Sequence, residues 1–131
     1  MGTWKEFHPN TKALIGMVDG FNRRDEEAVR RFVSEEVVFT IYGRGPQAGV
    51  YRGIEGIHRV LGRASELGLT SNPFLFVEEG EYLFVAAKIT GNREGKSLET
   101  ENCYLYRFRD GKIVEWRNIP TDQYAFDDYC R

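Results

Sequence analysis

The sequence offers few groups that could give or take a proton. It has two histidines, His8 and His58, far apart in the chain, and two cysteines, Cys103 and Cys130. None of these pairs has the short spacing that closes a zinc site, and no metal or cofactor is expected. Two cysteines cannot build the framework of a small secreted protein. They read as free thiols in a reducing compartment, which points to the cytoplasm. What the chain does offer is a set of hydrogen-bonding and aromatic side chains at alternate positions. Asn102, Tyr104 and Tyr106 lie in one run, Trp116 and Asn118 in the next. Residues two apart in a strand share a face. A phenol or a carboxamide donates and accepts hydrogen bonds, but neither takes a proton at neutral pH. Such a wall can orient a ligand. Trp116 reads as a pocket wall. Tyr104 and Tyr106 read either as core tyrosines or as donors to a ligand. Besides Tyr104, two candidates for proton transfer remain. His58 flanks the apolar side of a predicted helix, where it serves structure or acts as a pocket acid or base. Asp122 follows the last predicted strand. It either stabilises the N-terminus of the next helix or acts as a displaced carboxylate base.

These residues need elements to position them. Leu14, Met17, Val18 and Phe21 recur at helical spacing after the start signal Pro9-Asn10-Thr11. Asp25 is a good N-cap for a second helix, with Glu26 and Glu27 in its first turn and Ala28, Val29, Phe32 and Val33 as its stripe. The run Val37–Tyr42 is β-branched and aromatic and predicts a strand. Residues Gly43–Gly49 predict a loop. Its spacing is not that of a phosphate cradle, and a short extended segment, Val50–Arg52, follows it rather than a helix. A third helix carries Ile57, Val60, Leu61, Ala64 and Leu67 on one side. Strands are then predicted over Phe74–Val77, Tyr82–Thr90, Leu98–Phe108 and Lys112–Ile119, separated by short glycine turns, as in an antiparallel meander. A short amphipathic piece, Thr121–Tyr129, closes the chain with Thr121 as its N-cap. This order of elements is α+β in a single domain, residues 1–131.

The register of the last hairpin decides which residues share a face. A three-residue loop, Arg109-Asp110-Gly111, pairs Phe108 with Lys112. Asn102, Tyr104 and Tyr106 then share a face with Val114, Trp116 and Asn118. A two-residue Asp110-Gly111 turn would instead put Tyr104 with Arg117. The first register is preferred. It leaves Glu101, Arg107, Glu115 and Arg117 on the opposite face, where opposite charges can pair across strands. The strand Tyr82–Thr90 is apolar on both sides: Leu83, Val85, Ala87 and Ile89 on one, Tyr82, Phe84 and Ala86 on the other. Three short helices can cover one face only, so a homodimer through the outer face is expected.

Eighteen basic against twenty acidic residues, a net charge of -2, removes the electrostatic case for nucleic-acid binding. No run is long and apolar enough to span a membrane. The opening Met1-Gly2-Thr3-Trp4-Lys5-Glu6 predicts neither a signal peptide nor myristoylation, because Glu6 stands where that motif needs Ser or Thr.

Taken in order, four segments resemble the SnoaL-like and ketosteroid isomerase-like branch of the nuclear transport factor 2-like superfamily. They are Phe21-Asn22-Arg23-Arg24-Asp25, Glu35-Glu36-Val37-Val38-Phe39, Tyr51-Arg52-Gly53-Ile54-Glu55-Gly56-Ile57, and Tyr106 through Glu115. The resemblance implies a cone-shaped α+β barrel of the cystatin-like kind. Three N-terminal helices pack on a strongly curved, mixed, mostly antiparallel sheet around one apolar pocket. It also implies positions for the isomerase machinery: the tyrosine at Met17, the base at Ile41 (or Thr40, one residue away), the buried acid near Tyr104. None of these is a carboxylate, so the isomerase constellation is absent. In SnoaL-like cyclases an aspartate is expected where this chain has Asn118. The expected ligand-binding set is therefore Met17, Ile41, Asn102, Tyr104, Tyr106, Trp116 and Asn118. The expected function is binding of a small, largely apolar molecule. The alternatives are an isomerase, cyclase, dehydratase or hydrolase acting on such a molecule, or a structural dimerisation module with a filled pocket.

Overall fold

Helix α1, Pro9–Asn22, buries Leu14, Met17 and Val18 along one side, and Pro9 starts it where its missing N–H costs nothing. Asp25 caps α2, Glu26–Arg30, by accepting from the Ala28 amide. This and every later element comes from a computed structural model of the protein that describes residues 8–131. The readings made at Gly2 and Glu6 lie outside the described residues. The remaining elements are β1 (Val33–Ile41), β2 (Gly49–Arg52), α3 (Gly53–Leu67), β3 (Thr70–Glu79), β4 (Tyr82–Arg93), β5 (Lys96–Arg109), β6 (Lys112–Pro120) and α4 (Gln123–Cys130). The fold is α+β, with a mixed six-stranded sheet in the order β2-β1-β6-β5-β4-β3. Only the β1–β6 pair is parallel. One face of the sheet carries Val37, Phe39, Leu83, Val85, Ile89, Tyr106, Ile113 and Trp116, all buried with Leu14, Met17, Ile57 and Leu67 from the helices.

Several boundaries differ from the sequence reading, each for a local reason. Helix α2 stops at Arg30, and Val33 opens β1 instead of ending a helical stripe. The Ile113 amide, donating to the Phe32 carbonyl at 2.9 Å, fixes the chain there. Strand β3 begins at Thr70 because Pro73 sits at a register shift on an edge strand, where its missing N–H breaks no ladder. The cap of α4 is Asp122, not Thr121, whose hydroxyl donates to the Glu101 carbonyl.

The last hairpin corrects the expected register. Asp110 and Gly111 both have positive φ, 52° and 77°, and form a two-residue turn that pairs Arg109 with Lys112. Such a turn alone would have put the tyrosines opposite the wrong face. A bulge then absorbs Val114: Phe108 pairs with Ile113, and Arg107 pairs with Glu115. From there on Tyr106 faces Trp116 and Tyr104 faces Asn118. The expected grouping of side chains is present except for Val114, which the bulge leaves without a partner; it is produced by a turn and a bulge rather than by a three-residue loop.

The loop between β1 and β2 is held from the other end of the chain. Asp127 of α4 is buried and accepts from the Arg44 amide at 3.0 Å, from Gln47 Nε2 at 2.7 Å and from Gln123 Nε2 at 2.9 Å. Burial alone would raise its carboxyl; the amides of Arg44, Gln47, Gln123 and Gly45 outweigh burial and hold it below the ordinary carboxylate range. The approach needs glycine at position 45, since a Cβ there would collide with Gln47 Oε1. Hydrogen bonds to a buried charge contribute more than neutral ones. We therefore expect Asp127→Asn to destabilise the fold by about 1–3 kcal/mol in urea unfolding at neutral pH. A carboxyl lowered by folding stabilises above its unfolded value and loses that contribution as pH falls through its folded value. The difference between wild type and variant should accordingly shrink in acid.

Candidate functional site

A cavity opens between the concave face of the sheet and helices α1, α3 and α4. Its walls are apolar: Met17, Val18 and Phe21 from α1, Phe39 and Ile41 from β1, Val60, Ala64 and Leu67 from α3, Ile89 from β4, Phe126 from α4. One wall is polar and aromatic, where β5 contributes Asn102, Tyr104 and Tyr106 and β6 contributes Trp116 and Asn118; Gln47, Tyr51, Arg63, Thr70 and Ser71 line other parts of the cavity. Phe39 stacks on Trp116 with ring centroids 4.1 Å apart, and Tyr104 stacks on Tyr106 at 5.9 Å. The rings fix one another, so the wall is preformed.

Its hydrogen bonding is incomplete. Asn102 Nδ2 donates to Asn118 Oδ1 at 3.0 Å. Asn102 Oδ1 and Trp116 Nε1 are buried with no partner at hydrogen-bond geometry among the described residues. Burial pushes the Tyr104 phenol well above its ordinary value, and the nearby Asn102 amide draws it only part of the way back. Burial does the same to Tyr106, against the pull of the Trp116 indole. Both phenols are protonated at neutral pH: donors, not bases. Arg63 is the one charged residue among those lining the cavity, and its guanidinium reaches Glu66 at 3.2 Å and the Cys130 carbonyl at 2.8 Å.

Every expected ligand-binding residue, Met17, Ile41, Asn102, Tyr104, Tyr106, Trp116 and Asn118, lines this cavity. Two expected catalytic residues do not. His58 stands one position past Ile57, off the buried stripe, and its side chain is 71% exposed. Its Nδ1 lies 2.7 Å from Glu26 Oε1 and ties α3 to α2 on the surface. Asp122 is exposed and accepts from the Ala125 amide at 3.1 Å as the cap of α4. Its role is to end a loop and start a helix. The sequence reading missed Gln47, which lines the cavity and leaves Oε1 buried without a donor. Its signal was faint: a polar residue in a glycine-rich loop whose partner, Asp127, lies eighty residues on.

The sequence model of the SnoaL-like domain matches residues 14–116, which include most of the strands that carry the cavity. The chain belongs to the SnoaL-like family. Among solved structures, TerC co-crystallised with polyporic acid is 23% identical, with 93% of this chain and 98% of that one covered at a TM-score of 0.84. A nuclear transport factor 2-like protein from Burkholderia xenovorans LB400 is 23% identical over 93% and 95%, at 0.82. A protein from Jannaschia sp. CCS1 described as a SnoaL-like polyketide cyclase is 16% identical over 86% and 85%, at 0.72. At these identities the likenesses establish the fold. None of the curated proteins matches the chain.

Within this SnoaL-like cavity the amide pair can be tested directly. Asn118→Leu removes the acceptor of Asn102 Nδ2 and leaves a buried amide with neither atom paired, which should lower stability by about 1–3 kcal/mol. Replacing both amides, Asn102→Leu with Asn118→Leu, leaves neither amide behind and should recover part of that loss. Urea unfolding of the wild type, the two single variants and the double variant reads the coupling.

Proposed function

We propose that this SnoaL-like protein binds a small, largely apolar molecule in its cavity and does not transform it. The observation that carries the reading is the chemistry of the lining: apolar walls, a few convergent polar groups on β5 and β6, and no carboxylate or imidazole among the lining residues. This is the usual character of a small-molecule site. Proton transfer needs a base within hydrogen-bond reach of the substrate. The nearest buried carboxylate, Asp127, stands behind Gln47 with its oxygens taken by three donors. The polyketide cyclase description of one structural relative favours an enzyme as the second reading. On that reading Tyr104 supplies the acid, and His58 and Asp122 have no part. Molecules extracted from purified protein distinguish the two. A binder returns the compound it was given unchanged at about one per chain. Recovery of a rearranged or hydrolysed product would replace this reading with the enzymatic one.

The same proposal includes a homodimer in the cytoplasm. Leu75, Val77, Tyr82 and Ile119 are exposed on the outer face of the sheet, with Phe84, Cys103 and Leu105 half-buried between them. The patch is flanked by both signs of charge, Arg107 with Glu81 and Glu115, and Arg117 near Glu115. A second copy meets such a surface with charges that complement its own. Free Cys103 and Cys130 support a reducing compartment. Light scattering at micromolar concentration should give the mass of two chains, and Leu105→Glu should give one. A monomeric wild type would remove the dimer from the proposal.

A further inference from the structure

The cavity contains a mismatch between its charge and its bare hydrogen-bonding atoms. Asn102 is fully buried, and its Oδ1 has no donor; Gln47 Oε1, also buried in the lining, has none either. Both amides have their orientation set by the other end of the group. Asn102 Nδ2 is committed to Asn118 Oδ1, and Gln47 Nε2 to Asp127 Oδ1. Among the described residues the bare atoms of the lining are thus two carbonyl oxygens, which a ligand donor would satisfy and a ligand anion would repel, and one N–H, that of Trp116, which a neutral acceptor would satisfy.

Every titratable or charged group facing this space points the same way. Tyr104 and Tyr106 on β5 stay protonated because burial disfavours their anions. A ligand oxyanion placed beside them would meet the same desolvation. Tyr51 of β2 donates its hydroxyl to the Gln47 carbonyl at 2.6 Å and is not free to receive an anion. Arg63 of α3 is shared between Glu66 and the Cys130 carbonyl. Asp127 of α4 adds a negative charge directly behind Gln47. An oxyanion site is built from donors with no acceptor opposing them; this one sets two bare acceptors, with a carboxylate behind one of them, against the bare N–H of Trp116.

Resting on the binding reading above, we infer that the cavity takes its ligand uncharged, and that the ligand carries an O–H or N–H donor that serves the bare oxygen of Asn102. An alcohol, a phenol in its neutral form or a protonated carboxylic acid fits. A phenolate or a carboxylate does not. For a ligand that ionises near neutral pH, binding then follows the neutral fraction, and apparent affinity falls about tenfold for each pH unit above the ligand's own ionisation.

The test uses the full chain and 4-nitrophenol, whose neutral and ionised forms differ in colour, beside 4-nitrotoluene, which has nearly the same shape and no donor. Calorimetric titration and absorbance are read on both sides of the ionisation of 4-nitrophenol. The expected result is bound 4-nitrophenol in its colourless neutral form, its ionisation shifted upward, and affinity in acid about tenfold above that of 4-nitrotoluene. In Asn102→Leu the advantage over 4-nitrotoluene should vanish while 4-nitrotoluene still binds. If that variant does not fold, the wild-type comparison decides alone. Preferential binding of the yellow phenolate would overturn the inference and leave the binding reading intact, as would equal affinity for the two compounds. Binding of neither compound would overturn the binding reading together with the inference.

Discussion

The structure depends on one pairing, that of β1 with β6. Every other pair in the sheet is antiparallel and joins strands adjacent in sequence, whereas β1 lies parallel to the last strand of the chain. The pairing sets Phe39 beside Trp116 and Ile41 beside Asn118. The stacked Phe39 and Trp116 rings contribute about 0.5–1.5 kcal/mol beyond the burial of their area. They also join the half of the molecule that supplies the helices to the half that supplies the polar wall. Without this pairing the meander β3–β6 would be an open sheet, and α1 and α3 would have no concave face to close.

From that closure follows the character of the site. The sheet brings aromatic and amide side chains of β5 and β6 to one wall, and the helices face it with mostly apolar ones. The site is buried, so the phenols stay protonated at neutral pH, and a carbonyl oxygen left without a donor is costly. Most ionisable groups that pair with one another are placed elsewhere, although Arg63, paired with Glu66, lines the cavity. His58 with Glu26, and Arg107 with Glu81 and Glu115, lie on the surface and on the outer face. Asp127 is a different case. It is buried because it organises a loop that cannot make a ladder of its own, and through Gln47 it fixes part of the cavity lining.

Much of this was legible in the sequence, and the misses have separate physical causes. Helical spacing in α1 and α3 and alternation in β4 and β5 reported burial correctly, because both follow from local periodicity. Pro73 looked like a boundary because a proline tolerated at a sheet edge cannot be told from a strand stop without knowing the strand order. The face shared by Tyr104 and Asn118 was anticipated through the wrong device: the bulge at Val114 undoes what the two-residue turn alone would do, and no residue announces it. His58 was misplaced by one helical step of about 100°. Gln47 and Asp127 were invisible for another reason, since a contact between a loop and a distant helix leaves no periodic trace.

The sheet order also sets a schedule for folding. Strands β3 to β6 are linked by two-residue turns, Gly80-Glu81, Glu94-Gly95 and Asp110-Gly111, so each can pair with its predecessor as soon as it exists. Strand β1 can do so only with β2. Its parallel partner, β6, is made some seventy residues later. Closing so long a loop has an entropic cost before any contact repays it, which slows folding. On the ribosome, β1 can pair with β2 at once, but its other edge waits until β6 has emerged. The chain therefore spends most of its synthesis with one edge of its first apolar strand open, and that edge is where a chaperone has most to protect.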